Sequence, residues 1–233
     1  MIENLALLPI WYLAFIISIT FHEAAHALVG FKLGDKTAEA SGQVTLNPFP
    51  HIKREFVGTV FVPLFSYLIG GWMLGWASAP YNVYWAKSNP KKLAWMSIAG
   101  PAANLLIVLI ILLLTNLGYY FDILYAPESI NFTHITDSNV SEFLSRLSGF
   151  ISILFSLNIM LFVFNLLPLP ILDGSKIPLF FIDKKFTGKY IEFVNDPRLV
   201  IPVMFIAWFL FEYIHAPVRS FFINLLYYGV SYG

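Results

Sequence analysis

The chain has 233 residues, of which 58% are hydrophobic and 12% charged, and its formal net charge at pH 7 is zero. Soluble domains carry roughly 25% charged residues, so the composition excludes an ordinary soluble domain, and the lack of a basic excess argues against a nucleic-acid partner. The absence of cysteine excludes disulfides and thiolate metal sites.

Long apolar blocks predict an all-α polytopic membrane protein. Spanning the hydrocarbon core takes about 20 apolar residues. Four blocks contain almost no Asp, Glu, Lys or Arg: Asn4–Phe31, Phe56–Ala86, Leu93–Phe121 and Leu147–Leu172. A weaker fifth block begins at Leu199. We expect a single domain, with an intramembrane core over residues 1–175 and a cytoplasmic loop and C-terminal membrane helix region over 176–233.

In chain order, the first spanning helix is predicted over Leu5–Leu33, with Gly34 as its terminating residue. The polar segment that follows contains Gly42–Leu46, which is a possible short strand. The second apolar block is broken by glycines and prolines. Further spanning helices are predicted over three ranges: Leu93–Leu117, Leu147–Leu167 and Leu199–Val218.

The distribution of basic residues predicts that the second block re-enters the membrane. Lys and Arg near the ends of spanning helices favour the cytoplasm, and the loop Gly118–Ser145 has neither. If Phe56–Ala86 crossed the membrane once, two of the basic loops would face the wrong side. A re-entrant segment resolves the conflict, provided that protein covers its broken backbone. The basic loops lie at residues 32–54, 87–92 and 176–198.

The first block contains an H-E-x-x-H pattern, His22-Glu23-Ala24-Ala25-His26. On a helix this spacing puts two imidazoles on one face with a carboxylate beside them. An ionisable residue within the bilayer is costly, which makes it a functional-site hypothesis by default. The pattern therefore predicts a metal site with His22 and His26 as ligands and Glu23 as the general base.

A catalytic zinc usually has three protein ligands and a water. Without cysteine, the third ligand must be His, Asp or Glu at a matching depth. Asp173 is the strongest candidate, because it closes the uncharged fourth block and because the first and fourth spans are both predicted to run toward the cytoplasm. An alternative is a transporter or metal-binding membrane protein that uses the same His and Asp groups as a transit site.

Asparagines in the apolar blocks allow two interpretations. Asn158 and Asn165 lie seven residues apart on one face of the fourth block, and amides commonly hydrogen-bond between membrane helices. Asn165, close to Asp173, is alternatively a group that holds a substrate backbone or an oxyanion. Asn104 follows Gly100-Pro101 and is predicted to be structural, with small residues that let helices approach closely.

These motifs together make the chain resemble the site-2 protease family of intramembrane zinc metalloproteases, in a compact branch without a PDZ or other appended domain. The resemblance covers residues 5–175 and rests on three stretches: His22–His26, Gly100–Asn104, and Asn165-Leu166-Leu167-Pro168 running to Leu172-Asp173-Gly174. The chain departs from many relatives at Ala25, where they have glycine.

The resemblance implies that His22, His26 and Asp173 bind one Zn²⁺, that Glu23 is the catalytic acid and base, and that Asn165 holds the substrate or transition state. It also implies a three-helix core and a re-entrant β-element between the first two core helices. We therefore expect a zinc-dependent endopeptidase in the lipid bilayer that cuts membrane proteins in or near their transmembrane segments. We expect it in a prokaryotic inner membrane, with its active site nearer the cytoplasmic face.

Overall fold

The computed structural model describes residues 2–227, 229–230 and 232, with the backbone alone for residues 2–4 and 212. Within these residues the fold is helical and contains no strand, which confirms the predicted all-α class. The α-helices are α1 (Ile2–Lys32), α2 (Thr37–Ala40), α3 (Pro48–Arg54), α4 (Val62–Gly70), α5 (Val83–Ser88), α6 (Pro90–Tyr120), α7 (Glu142–Leu166), α8 (Lys184–Val194) and α9 (Val200–Asn224).

Three of these helices, α1, α6 and α7, are long and apolar enough to cross a membrane, and they pack against one another as the core. The bent pair formed by α8 and the first part of α9, with an angle of 55°, is a candidate fourth span. The protein is therefore a multi-pass membrane protein. The 31 residues of α6 extend over about 46 Å at 1.5 Å per residue, so this helix is longer than the predicted Leu93–Leu117.

The ends of the core helices follow local capping rules. The hydroxyl of Ser141 accepts a hydrogen bond from the backbone N–H of Leu144 and caps α7. Pro90 occupies the first turn of α6, where a missing backbone N–H costs nothing. Gly34 adopts φ +105° just after α1, which confirms it as the residue that terminates the helix.

The second apolar block turns back on itself, as the re-entrant prediction requires. A π-helix over Val57–Phe61 leads into α4, which ends at Gly71 in a left-handed conformation. The chain then returns, and the backbone N–H of Trp76 donates to the carbonyl of Gly58 at 3.0 Å. The hydroxyl of Ser78 donates to Glu55 at 2.5 Å. Both ends of the block therefore lie at the same end of the helix bundle.

The possible strand at Gly42–Leu46 does not form. The backbone N–H groups of Gly42 and Gln43 donate to Glu39 and Ala38, where they complete a turn at the end of α2. Asn47 then caps α3 through its side chain. Because these backbone groups are satisfied locally, the segment offers no ladder of hydrogen bonds to a neighbouring strand.

The C-terminal helix shares a hydrophobic core with the spanning helices. Phe222 near the end of α9, together with Leu226 and Tyr227 just after it, is buried against α6 and α7 in one cluster. The hydroxyl of Tyr227 donates to the backbone carbonyl of Ile135 at 3.1 Å. This packing attaches α9 and the loop before α7 to the core.

The re-entrant path predicts which loops share a side of the membrane. Since the chain contains no cysteine, each variant Lys53→Cys, Lys91→Cys and Glu128→Cys carries a single thiol at an exposed position. We expect the thiols at 53 and 91 to react with a membrane-impermeant maleimide from one side of the membrane. The thiol at 128 should react from the other side. Labelling of positions 53 and 91 from opposite sides would show that the second block spans the membrane.

Candidate metal centre

Two histidines of α1 face α6 in the interior of the bundle. His22 and His26 are each 6% exposed, and their Nε2 atoms lie 2.9 Å apart. His22 precedes the end of α1 at Lys32 by ten residues, which is about 15 Å of helix. The pair is therefore buried inside the bundle, in the half that lies toward the C-terminal end of α1.

Asp173 joins the two imidazoles. Its Oδ2 lies 3.1 Å from Nε2 of His22 and 3.1 Å from Nε2 of His26. Asp173 begins a 3₁₀-helix, Asp173–Phe180, that packs against α6. The structure thus brings together the three residues that the sequence predicts as metal ligands.

Asp173 reaches this depth because the chain folds back after α7 ends. Gly174 lies directly against the backbone carbonyls of Leu166 and Leu167, and a side chain at position 174 would overlap both. Ile171, two residues before Asp173, has φ +67°, which is strained for a β-branched residue. Its backbone N–H donates to the carbonyl of Val194 at 2.7 Å, which holds it in place.

The Nδ1 atoms of both histidines are occupied by hydrogen bonds. Nδ1 of His26 lies 2.7 Å from the backbone carbonyl of Met96; a carbonyl only accepts, so this nitrogen carries the proton. Nδ1 of His22 lies 2.7 Å from Oδ1 of Asn104 and donates to it. In their neutral forms both imidazoles therefore direct an unprotonated Nε2 toward Asp173.

The donor set fits a bound divalent cation. Two Nε2 lone pairs and a carboxylate oxygen converge, and such acceptors repel one another unless a cation or a shared proton lies between them. Zinc ligands lie about 2.0–2.1 Å from the ion, and a tetrahedral arrangement would separate them by about 3.3 Å. The observed separations of 2.9–3.1 Å are close to that value.

The space between these ligands exists because position 100 has no side chain. A Cβ at Gly100 would overlap Nε2 of both His22 and His26. Gly100 and Asn104 are one turn apart on α6, so the glycine and the hydrogen-bond partner of His22 share a helix face. The prediction that Asn104 is structural is therefore incomplete, because Asn104 also accepts a hydrogen bond from His22. In the sequence, the four-residue spacing between Gly100 and Asn104 indicates that the two residues share a helix face.

Glu23 and Asn165 are not part of the convergent group of three ligands. Glu23 is 5% exposed, and among the described residues no hydrogen bond or ion pair engages its carboxylate. Asn165 is half-buried in the last turn of α7 and donates to the backbone carbonyl of Leu161 at 3.1 Å. Among the described residues, neither Glu23 nor Asn165 forms a hydrogen bond with Asp173.

The chain matches a peptidase family and two proteins named as putative zinc metalloproteases over most of its length. The family model described as Peptidase family M50 matches residues 10–207, a range that includes all the predicted site residues. The putative zinc metalloprotease YwhC of Bacillus subtilis (strain 168) is 38% identical over 174 residues, which is 74% of this chain and 69% of the relative.

A second relative is the putative zinc metalloprotease Rip2 of Mycolicibacterium smegmatis (strain ATCC 700084 / mc(2)155). It is 29% identical over 159 residues, which is 68% of this chain and 52% of that protein. No solved structure was found to match the chain.

The close approach at Gly100 makes metal binding sensitive to a single methyl group. We expect Gly100→Ala to lower the affinity for zinc by about 100-fold, the upper end of losses for residues beside a metal's ligands, because both Nε2 atoms would have to move. Competition with a chelator in detergent measures the loss. Gly149→Ala is the matched control, since this helical glycine has open space around it. Wild-type zinc affinity in Gly100→Ala would contradict the assignment.

Proposed function

The chain belongs to peptidase family M50, and we propose that His22, His26 and Asp173 hold the zinc ion of its intramembrane active site. Its membership of this family confirms the resemblance to site-2 proteases. The protein is a zinc-dependent intramembrane protease, which decides against the transporter alternative. One observation carries the ligand assignment: two Nε2 atoms and one carboxylate oxygen converge within 3.1 Å between the core helices.

The reaction divides between the cofactor and the side chains around it. When bound, zinc makes a water molecule nucleophilic near neutral pH and stabilises negative charge on the attacked carbonyl oxygen. We assign general acid and base chemistry to Glu23, which takes a proton from the attacking water and delivers it to the leaving amine nitrogen. Its carboxylate is available for this role because no described residue forms a hydrogen bond or an ion pair with it.

The substrates of the enzyme are membrane proteins within a lipid bilayer, and we propose that it cuts them in or near a transmembrane segment. A helical segment keeps its backbone carbonyls in i to i−4 hydrogen bonds. Such a segment must unwind locally before a carbonyl can reach the ligands at the depth of His22. Segments weakened by glycine or proline should therefore be cut faster than uninterrupted helices.

We propose Asn165 as the group that holds the substrate carbonyl. It lies in the last turn of α7, eight residues before Asp173. Its amide uses one N–H on Leu161. The second N–H is therefore available to a substrate carbonyl or to the oxyanion that forms from it.

We propose that the active site lies nearer the cytoplasmic face of a prokaryotic inner membrane. The ligands lie about 15 Å or less from the end of α1 at Lys32, and the loops at that end are basic. Basic loops favour the cytoplasmic side. We also propose one domain, in which residues 1–175 form the protease core.

Glu23→Gln tests the catalytic assignment. The amide cannot accept the proton from water, so cleavage of a reconstituted membrane substrate should fall at least about 100-fold, as expected for loss of a general base. Zinc content should stay at the wild-type level, because Glu23 is not a ligand. Asp173→Ala should instead lose both zinc and activity. Wild-type cleavage by Glu23→Gln would overturn the mechanism.

Asn165→Leu tests the carbonyl-binding assignment. We expect kcat to fall by about 100-fold, the loss typical of one oxyanion donor, while zinc content stays unchanged. Asn116→Leu is the matched control, because Asn116 makes the same bond to the carbonyl four residues earlier but lies about 24 Å along α6 from Gly100. Equal kinetics for wild type and Asn165→Leu would remove Asn165 from the active site.

A further inference from the structure

A chain of buried polar groups connects His22 to the helix on the far side of the core. We propose that Asn158 and Ser18, neither of which contacts the convergent ligand atoms, are positioning residues that set the tautomer of His22 through Asn104. This inference rests on the proposed function in one respect, namely that His22 is a zinc ligand. It assigns to two further residues a role in metal binding rather than in helix packing alone.

The three polar side chains are completely inaccessible to solvent. Ser18 on α1, Asn104 on α6 and Asn158 on α7 are each 0% exposed. Buried amides and hydroxyls are costly unless they are hydrogen-bonded, and within a membrane the partners must come from the protein itself. Each of these side chains must therefore find its partners within the protein, and a reversed hydrogen bond would leave buried groups unpaired at a cost in free energy.

The direction of the first bond is determined by a backbone carbonyl. The hydroxyl of Ser18 lies 2.7 Å from the carbonyl oxygen of Ala14 and must donate its only proton there. Ser18 Oγ then acts as the acceptor for Nδ2 of Asn158 at 2.8 Å. The amide nitrogen of Asn158 therefore faces α1.

A second carbonyl imposes the same orientation on Asn158. Its Nδ2 also donates to the backbone carbonyl of Leu154 at 2.7 Å. Both hydrogens of this amide are used, and its Oδ1 faces Asn104 as an acceptor. The orientation of Asn158 thus has two independent causes, one from α1 and one from its own helix.

Asn104 transmits this orientation to the histidine. Its Nδ2 donates to Oδ1 of Asn158 at 2.8 Å and to the backbone carbonyl of Ser18 at 3.3 Å. The remaining atom, Oδ1, faces Nδ1 of His22 at 2.7 Å. His22 must therefore carry its proton on Nδ1, and Nε2 is left with a lone pair for the metal.

The reversed amide shows why this matters for zinc. If Asn104 were turned over, its oxygen would face two other acceptors, Oδ1 of Asn158 and the carbonyl of Ser18. Its NH₂ would then favour a His22 tautomer protonated on Nε2, and this atom, which faces the other ligands, would have no lone pair for the metal. Asn158 opposes that reversal, because it offers only an oxygen to Asn104.

Asn158→Leu removes the Oδ1 that accepts from Asn104, so that only the backbone carbonyl of Ser18 still orients the Asn104 amide. We expect a loss in zinc affinity of about tenfold, the lower end of the range for groups that orient ligands. The measurement is competition with a chelator in detergent. In Asn158→Asp, a neutral carboxyl would still accept from Asn104 and donate to Leu154, so this variant should recover most of the affinity.

A second, milder pair of variants keeps the test decisive if Asn158→Leu does not fold. Ser18→Ala should lower zinc affinity by about threefold, in keeping with one net hydrogen bond. Ser152→Ala is its matched control, because Ser152 is also 0% exposed, donates to the carbonyl four residues earlier and accepts from an N–H. Ser152 lies outside the chain to His22, so its variant should keep wild-type affinity.

A readout of the tautomer separates positioning from packing. ¹⁵N NMR of histidine-labelled, metal-free protein should show His22, identified by the signal missing in His22→Gln, protonated on Nδ1. Asn158→Leu should shift this equilibrium toward Nε2, whereas Ser152→Ala should not. A network that serves packing alone would lower thermal stability in both variants and leave the tautomer and the zinc affinity unchanged, which overturns the inference.

The proposed ligand set fails by a different outcome. If His22→Gln itself binds zinc as tightly as the wild type, then His22 is not a ligand and the proposed function is wrong at that residue. If His22→Gln loses zinc while Asn158→Leu and Ser18→Ala both retain wild-type affinity and tautomer, only the positioning role is wrong.

Discussion

Inside a bilayer, polar groups have no water to satisfy them, and this constraint governs the whole active site. Convergent acceptors such as the Nε2 atoms of His22 and His26 are stable only with a cation or a shared proton between them and with their other nitrogens hydrogen-bonded. The protein meets the second condition with Met96 and Asn104, both on α6. The site therefore depends on how closely α6 approaches α1, and the remaining helices hold that approach in place.

Two folds of the backbone bring the rest of the chain to this depth. The re-entrant segment turns at Gly71 and returns beside Gly58, so α6 begins at the end of the bundle where α1 terminates. After α7, the contact of Gly174 with the last carbonyls of that helix directs Asp173 back toward the histidines. Without the first fold α6 would enter from the other end, and Gly100 would not face His22.

Much of this arrangement follows from the sequence because the strongest signals are long or chemically unusual. Apolar length predicts α1, α6 and α7, and an uncharged block closed by Asp173 predicts a third ligand. The strand considered for Gly42–Leu46 was wrong because short polar segments have several ways to satisfy their backbone, and a local turn satisfied it first. The partner of His22 was missed because a single asparagine does not indicate which helix it faces.

The absence of a side chain at Gly100 also has a meaning for the evolution of the fold. Alanine stabilises a helix interior by about 1 kcal/mol relative to glycine, so a helix selected for stability alone would carry alanine there. A methyl group there would lie against Nε2 of both histidines, which are the atoms that we propose bind the ion. Catalysis and the intrinsic stability of α6 therefore favour different residues at one position. A descendant released from proteolysis would gain helix stability from alanine there once its two imidazoles had moved aside.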